Sequence, residues 1–162
     1  MIGLILALGS NVGDCENNLK QAIKLLSKYF KVIDYSSLYL SKAVDYLEQD
    51  DFFNIVIECT LPKFLPAQVL GITQSIEKRM GRIKKIDKGP RIIDIDIIFY
   101  GQDFLQEKNL VIPHQKINER NFVLFPLREL KSYNKLNEVF KLNPNIPLNG
   151  IKIIKTPEEF LC

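Results

Sequence analysis

The chain opens on Ile2 to Leu8, a short and nearly continuous apolar run closed by Gly9, Ser10 and Asn11, which reads as a strand covered on both faces. Beyond Gly13 the spacing changes. Leu19, Ala22, Ile23 and Leu26 fall on one helical face behind Asp14, a residue suited to an N-cap, so a helix is expected to run to about Tyr29. Val32 to Leu40, rich in β-branched and aromatic residues, predicts a second strand. The polar and acidic stretch Ser41 to Asp51 separates it from Phe52 to Cys59, a third. Pro66 suits the first turn of a second helix, along which Val69, Ile72, Ile76 and Met80 recur at helical spacing until Gly81. Ile92 to Tyr100 predicts the fourth strand.

The order strand, helix, strand, strand, helix, strand predicts an α+β fold with a ferredoxin-like βαββαβ core, two amphipathic helices covering one face of an antiparallel sheet. A segment through Leu110 to Pro113, a short helix near Glu119 to Leu130 and a tail with Pro and Asn from Asn143 remain. They are expected to cover the other face, making an α/β/α layering with an additional C-terminal helix and strands. The pattern gives Ile151 to Cys162 no role.

Composition narrows the picture. A chain of 162 residues, 46% of them apolar, has material for one sizeable core, so a single domain over residues 1–162 is expected. A net charge of +3 marks neither a nucleic-acid nor a membrane binder, and electrostatic function must come from local clustering. Cys15, Cys59 and Cys162 are odd in number and far apart, which argues against a disulfide framework or a zinc site and for a reducing cytoplasm. Met1 leads into the first apolar run without a basic region, so an unprocessed soluble chain is expected.

Chemistry concentrates in Ile92-Ile93-Asp94-Ile95-Asp96-Ile97-Ile98-Phe99, where two carboxylates interrupt an apolar strand. Side chains two apart share a face and stand about 7 Å apart along the strand, while Ile93, Ile95, Ile97 and Phe99 are expected on the opposite, core side. An exposed edge strand would also tolerate acids, but Ile92 and Ile98 share their face. Carboxylates in apolar surroundings repel and lose hydration unless cations compensate them, and oxygen ligands without His or Cys clusters suit magnesium or manganese. The cations precede directly: Lys78, Arg79, Arg82, Lys84, Lys85, Lys88 and Arg91 are opposed in that stretch only by Asp87. Arginine forks beside a metal pair are what a polyphosphate needs, and Gly81 and Gly89 bracket a loop able to close over it. The single histidine, His114, follows Pro113.

With Ala7-Leu8-Gly9-Ser10-Asn11, Phe52-Phe53-Asn54, Glu77 through Gly81-Arg82, Gly89-Pro90-Arg91-Ile92-Ile93-Asp94-Ile95-Asp96, Pro113-His114 through Arg120 to Phe122, and Pro126-Leu127, the chain closely resembles the 6-hydroxymethyl-7,8-dihydropterin pyrophosphokinases of folate biosynthesis. The resemblance spans most of the chain and implies the same ferredoxin-like core. It implies that Asp94 and Asp96 bind two magnesium ions bridging ATP and the pterin hydroxyl, and that Arg82 and Arg91 contact phosphate, these four forming the catalytic set. Gln74, Glu77, Lys84, Arg91, Ile97, His114, Gln115 and Arg120 match nucleotide-site positions. For the pterin, Asn54 matches the hydrogen-bonding side chain, Phe122 the stacking aromatic and Phe52 an aromatic wall, with Ser41 and Val44 meeting it through their backbones and Asp94 beside its hydroxyl. The chain departs from the family pattern in a loop before Gly89 that is one residue shorter, in Lys88 for tryptophan, in Lys42 for proline, in Phe52 and Gln115 for tyrosine, and in Asn109 and Val111 for more polar contacts.

The implied reaction is direct transfer: the pterin hydroxyl attacks the β-phosphorus of ATP and AMP leaves in line. ATP and the pterin are then the partners of a monomer that engages neither nucleic acid nor membrane. An RNA-recognition motif shares the element order, yet Phe52-Phe53-Asn54-Ile55-Val56 lacks its Gly-aromatic pattern. Another metal-dependent nucleotidyl transfer is the remaining rival, against which Asn54 and Phe122 argue.

Overall fold

The computed structural model describes residues 1–43, 46–83 and 88–162. In chain order its elements are β1 (Leu4–Ser10), α1 (Cys15–Leu26), β2 (Val32–Tyr35), β3 (Leu38–Ser41), β4 (Phe52–Cys59), α2 (Pro66–Arg79), β5 (Asp94–Tyr100), β6 (Leu105–Gln106), β7 (Val111–Ile112), a 3-10 turn (Ile117–Glu119), α3 (Asn121–Leu127), α4 (Tyr133–Phe140), β8 (Ile151–Lys155) and α5 (Pro157–Leu161). The main sheet is antiparallel in order β5-β1-β4-β3-β8, with β2 also on β4, and β6 and β7 form a separate pair. The connection from β1 through α1 to β3 skips one position, and β4 fills it antiparallel to both.

Side-chain alternation on β1 sorts the core into two. Leu4, Leu6 and Leu8 face one way and pack with Leu19, Ala22, Ile23 and Leu26 of α1 and Val69 and Ile76 of α2. Ile5 faces the other way and packs with Val56 and with Val123, Leu124, Leu127 and Leu136 of α3 and α4. Each such leucine or isoleucine contributes roughly 1.5–3 kcal/mol by leaving water, so both faces of β1 are committed to helices. No helix among the described residues is long and apolar enough to cross a membrane.

Asp14 caps α1 as its sequence suggests, its carboxylate accepting the Asn17 amide at 3.1 Å. The helix stops at Leu26, short of Tyr29, where the chain tightens: the Lys28 amide donates to the Leu25 carbonyl at 3.2 Å and the Tyr29 amide to the Leu26 carbonyl at 2.9 Å, each three residues back. The single strand expected over Val32 to Leu40 is two. At Ser36 the register against β4 slips by one residue, and the Ser36 hydroxyl accepts the Val56 amide at 2.9 Å in place of a ladder bond. The helix expected near Glu119 to Leu130 resolves into the 3-10 turn and α3, and α4, β8 and α5 are elements that the pattern left unassigned.

The fourth strand differs most. It begins at Asp94 and not at Ile92, because the backbone at Arg91 is paired with Asn11: the Asn11 amide donates to the Arg91 carbonyl at 3.1 Å and the Arg91 amide to Asn11 Oδ1 at 2.9 Å. Strict alternation also fails within it. Ile5 opposes Phe99 and Leu6 opposes Ile97, so Ile98 is an extra residue, and Phe99 joins the core under α3 and α4 instead of that holding Ile93, Ile95 and Ile97. Ile98 spends its carbonyl on the His114 amide at 3.0 Å, docking the following loop against β5.

Candidate active site

Because directly opposed residues share a face, the antiparallel register lines up Asp94, Gly9, Asn54 and Tyr39 across four strands, with Asp96 and Ala7 in the next same-face row. A cavity of about 260 Å³ opens on this part of the sheet. Ser41, Phe52 and Asn54 line it at one side, Arg82, Arg91, Asp94 and Asp96 at the other, and His114, Arg120 and Phe122 from the loop and helix that close the face. Gly9 is its floor. A Cβ there would stand 3.2 Å from Asn54 Oδ1 and 3.5 Å from the Phe52 ring, so the bare backbone lets these side chains lie close across the strand.

The carboxylates are held unequally. Asp94 sits between two guanidinium groups, Arg82 Nη1 donating to Oδ1 at 2.9 Å and Arg91 Nη1 to Oδ2 at 3.1 Å. Among the described residues Asp96 pairs with Arg120, at 3.4 Å, and burial together with the nearby Asp94 charge pushes its carboxyl up to about 7. A carboxyl raised in this way holds a proton, or a cation in its place, more readily than an ordinary carboxylate. The pair therefore fits a hard divalent ion, and among the described residues no group of three or more His, Cys, Asp or Glu side chains surrounds it. Such an ion would draw its other ligands from water and phosphate, the habit of magnesium.

Glu77, buried on α2, holds Arg82. One of its oxygens accepts both the Ile95 amide at 2.9 Å and Arg82, joining α2, β5 and the guanidinium that reaches Asp94. Burial raises its carboxyl above the ordinary glutamate value, against the pull of the Ile95 amide and Arg82. Arg91 lies over the Phe52 ring at 5.4 Å and Arg120 over the Phe122 ring at 5.5 Å, so each aromatic wall carries a cation at its edge. Asn54 donates to the Ser41 hydroxyl at 2.6 Å and to the Phe52 carbonyl at 3.2 Å, which fixes its amide. Burial, then Arg120, lowers the His114 ring to about 4. Neutral His114 accepts the Lys116 amide on Nδ1 at 3.2 Å, leaving the ring proton on Nε2 as a donor.

Ten of the residues expected at the site therefore line one cavity. Four do not: Gln74 and Gln115 are exposed away from it, the Ile97 side chain is buried on the opposite face of β5, and Glu77 acts through Arg82. Val44 and Lys84 lie outside the described residues, as do Lys85 and Asp87. The structure adds Gly9, Lys42 and Lys88 to the lining and gives Asn11 a role that a turn sequence alone does not suggest. The Asn11 amide group donates to Gln49 Oε1 and to the Asp50 carbonyl, both at 2.9 Å, and Gln49 donates to the Lys88 carbonyl at 3.0 Å. Segments from three parts of the chain thus meet on one side chain.

Residues 5–132 match the model of the 7,8-dihydro-6-hydroxymethylpterin-pyrophosphokinase family. The chain is 33% identical over 162 residues to the 2-amino-4-hydroxy-6-hydroxymethyldihydropteridine pyrophosphokinase of Aquifex aeolicus, covering all of this chain and 98% of that one. It is 38% identical over 127 residues to the Bacillus subtilis protein of the same name, covering 77% and 75%. Other relatives are much longer: the chain spans 17% of a folic acid synthesis protein of Pneumocystis carinii, at 44% identity over 77% of this chain, and 37% of a Lactococcus lactis bifunctional protein. In fold it is similar to a Plasmodium falciparum HPPK-DHPS crystal structure, with a TM-score of 0.67 at 20% identity, covering 93% of this chain and 47% of that one.

Proposed function

Because this chain belongs to the 7,8-dihydro-6-hydroxymethylpterin-pyrophosphokinase family, we propose that it transfers the pyrophosphoryl group of ATP to the hydroxymethyl group of 6-hydroxymethyl-7,8-dihydropterin, a step of folate biosynthesis. The observation that carries the reading is one cavity lined by a carboxylate pair, three arginines, the Asn54 amide and two aromatic rings. We read the sheet and its two helical faces as a ferredoxin-like core in α/β/α layers and residues 1–162 as one pyrophosphokinase domain. Its three free thiols favour a reducing, cytoplasmic setting, and the reading is of a monomer without nucleic-acid or membrane partners.

Asp94 and Asp96 would hold two magnesium ions, which when bound neutralise the phosphates and lower the cost of deprotonating the pterin hydroxyl. Asn54 receives the polar edge of the pterin while Phe122 stacks on its ring and Phe52 walls it, orienting the hydroxymethyl toward Asp94. Arg82 and Arg91 trade their hold on Asp94 for phosphate oxygens, and Arg120 and the Nε2–H of His114 donate to the same chain of phosphates. The bond between the hydroxymethyl oxygen and the β-phosphorus forms as the bond from that phosphorus to the α-phosphate oxygen breaks. AMP leaves in line with the bridging oxygen and the electron pair of the broken bond, and the hydroxyl proton passes to solvent water. Glu77 keeps Arg82 aimed throughout.

The test is AMP formation from ATP and the pterin by the wild type, Asp94→Ala and Asp96→Ala proteins with magnesium present. Loss of at least a hundredfold in each variant is expected, on the order of the effect of removing one charge-stabilising group. Near-normal turnover by either would overturn the metal assignment, and failure of the pterin to bind calorimetrically beside a non-hydrolysable ATP analogue would overturn the substrate.

A further inference from the structure

Two walls of the cavity belong to different elements, α3 and β3. The N-terminal end of α3 brings Arg120, which reaches Asp96, and Phe122, while the end of β3 brings Ser41, which takes the Asn54 amide, and Lys42. At its far end α3 is tied to β3 by Glu129, whose carboxylate accepts the Ser37 hydroxyl and the Tyr39 hydroxyl, both at 2.6 Å. At the cavity end the tie is a third segment, the chain from Asn143 to Ile151.

That segment is anchored step by step. Asn143 donates through its amide to Asn118 Oδ1 at 2.9 Å, Arg128 donates to the Pro144 carbonyl at 3.1 Å, and the Lys42 amide donates to the Gly150 carbonyl at 2.9 Å before β8 pairs with β3. Between these anchors the Asn121 side chain donates to two carbonyls at once, Pro147 at 3.1 Å and Asn149 at 2.9 Å. Asn121 stands between Arg120 and Phe122 in sequence and is not itself part of the cavity lining. On the other side Gly150, at φ +68, lies against the Lys42 stem, where a Cβ would come within 3.2 Å of Lys42 Cγ.

We infer that residues 143–155 form a strap that sets the separation of the Phe122 wall from the Ser41 and Asn54 wall, with Asn121 as its positioning residue, and so tunes affinity for the flat heterocyclic substrate and not for the nucleotide. The inference rests on the pterin reading above. The amide is suited to the task because its two protons can go to two different carbonyls.

The experiment compares Asn121→Ala and the isosteric Asn121→Asp, which cannot donate, with wild type for KM of each substrate, kcat, melting temperature and pterin binding beside a non-hydrolysable ATP analogue. Loss of two partly exposed hydrogen bonds is expected to raise the pterin KM about threefold to tenfold, with kcat and the ATP KM within about twofold. Gly150→Ala, acting on the same strap, is expected to raise the pterin KM and to be non-additive with Asn121→Ala. An unchanged pterin KM, or a fall in kcat and melting temperature with both KM values unmoved, would overturn the strap. A wild type that binds no pterin would instead overturn the substrate reading, so the two failures are separable.

Discussion

Asp96 should make the metal-free protein less stable as the solution becomes less acidic, and removing its charge should cure this. Its carboxyl lies at about 7 in the folded chain against an ordinary value of 3.8, raised first by burial and then by Asp94. Between those two values the folded state holds a proton that the unfolded state has released. The sign follows: this group's contribution is most favourable at and below about pH 4, declines as pH rises to 7, and is flat beyond. At about 1.4 kcal/mol per pH unit the full span is about 4 kcal/mol, but a side chain 33% exposed is partly screened, leaving on the order of 2 kcal/mol. Asp96→Asn keeps the shape and drops the charge. In a chelator, urea unfolding at pH 4.5, 6 and 8 should show the variant gaining on wild type as pH rises, by on the order of 1 M in midpoint at pH 8 for a slope near 2 kcal/mol per M. Magnesium added to wild type should reverse the trend, with apparent affinity falling about tenfold for each pH unit below 7 as the proton competes. A wild-type-to-variant difference that is constant across pH would refute the argument.

Glu77→Gln should cost about 1–2 kcal/mol in denaturant unfolding, since a buried charge-assisted bond to Arg82 is lost while the Ile95 amide keeps an acceptor; a variant of wild-type stability that loses only ATP affinity would mean that Glu77 meets the nucleotide directly. Gly9→Ala should weaken pterin binding about fivefold to tenfold by calorimetry, because its methyl must displace Asn54 from 3.2 Å, while stability moves by less than about 0.5 kcal/mol. Unchanged binding would show that the floor has room to spare. His114, the single histidine, should titrate near 4 in its one ring-proton NMR signal, and its neutral burial should remove on the order of 1 kcal/mol of stability as pH falls from 6.5 toward 4. A midpoint near 6.5 would place the ring in solvent and end its proposed role as an uncharged Nε2–H donor.

Much of this molecule is local and was therefore legible. Asp14 caps α1 because a carboxylate immediately before a helix has an orphan amide to accept, and Asp94 and Asp96 share a face because strand geometry has a period of two. The basic run from Lys78 to Arg91 leads into the acid pair, and Arg82 and Arg91 from it both pair with Asp94. Phe99 was misplaced for the same reason that Asp96 was placed well: alternation holds only until a bulge inserts a residue, and the bulge at Ile98 depends on how β1 and the His114 loop meet β5. Glu77 illustrates the same limit, since no spacing along α2 says that its buried carboxylate will find an amide on β5.

What the sequence by itself determined is the set of elements and the chemistry each one carries: the helical and strand periods, the carboxylate pair, the basic run before it and the isolated histidine. Only the tertiary structure decided how those chemistries meet. It put Gly9 between Asp94 and Asn54, made Glu77 the partner of Arg82 and not a cavity wall, buried Asp96 beside Asp94 so that its carboxyl is raised, and looped residues 143–155 back to join α3 to β3. The reason is physical: periodicity is set by neighbours along the backbone, whereas register, burial and ion pairing are set by which distant segments exclude water together, and that is a property of the packed chain.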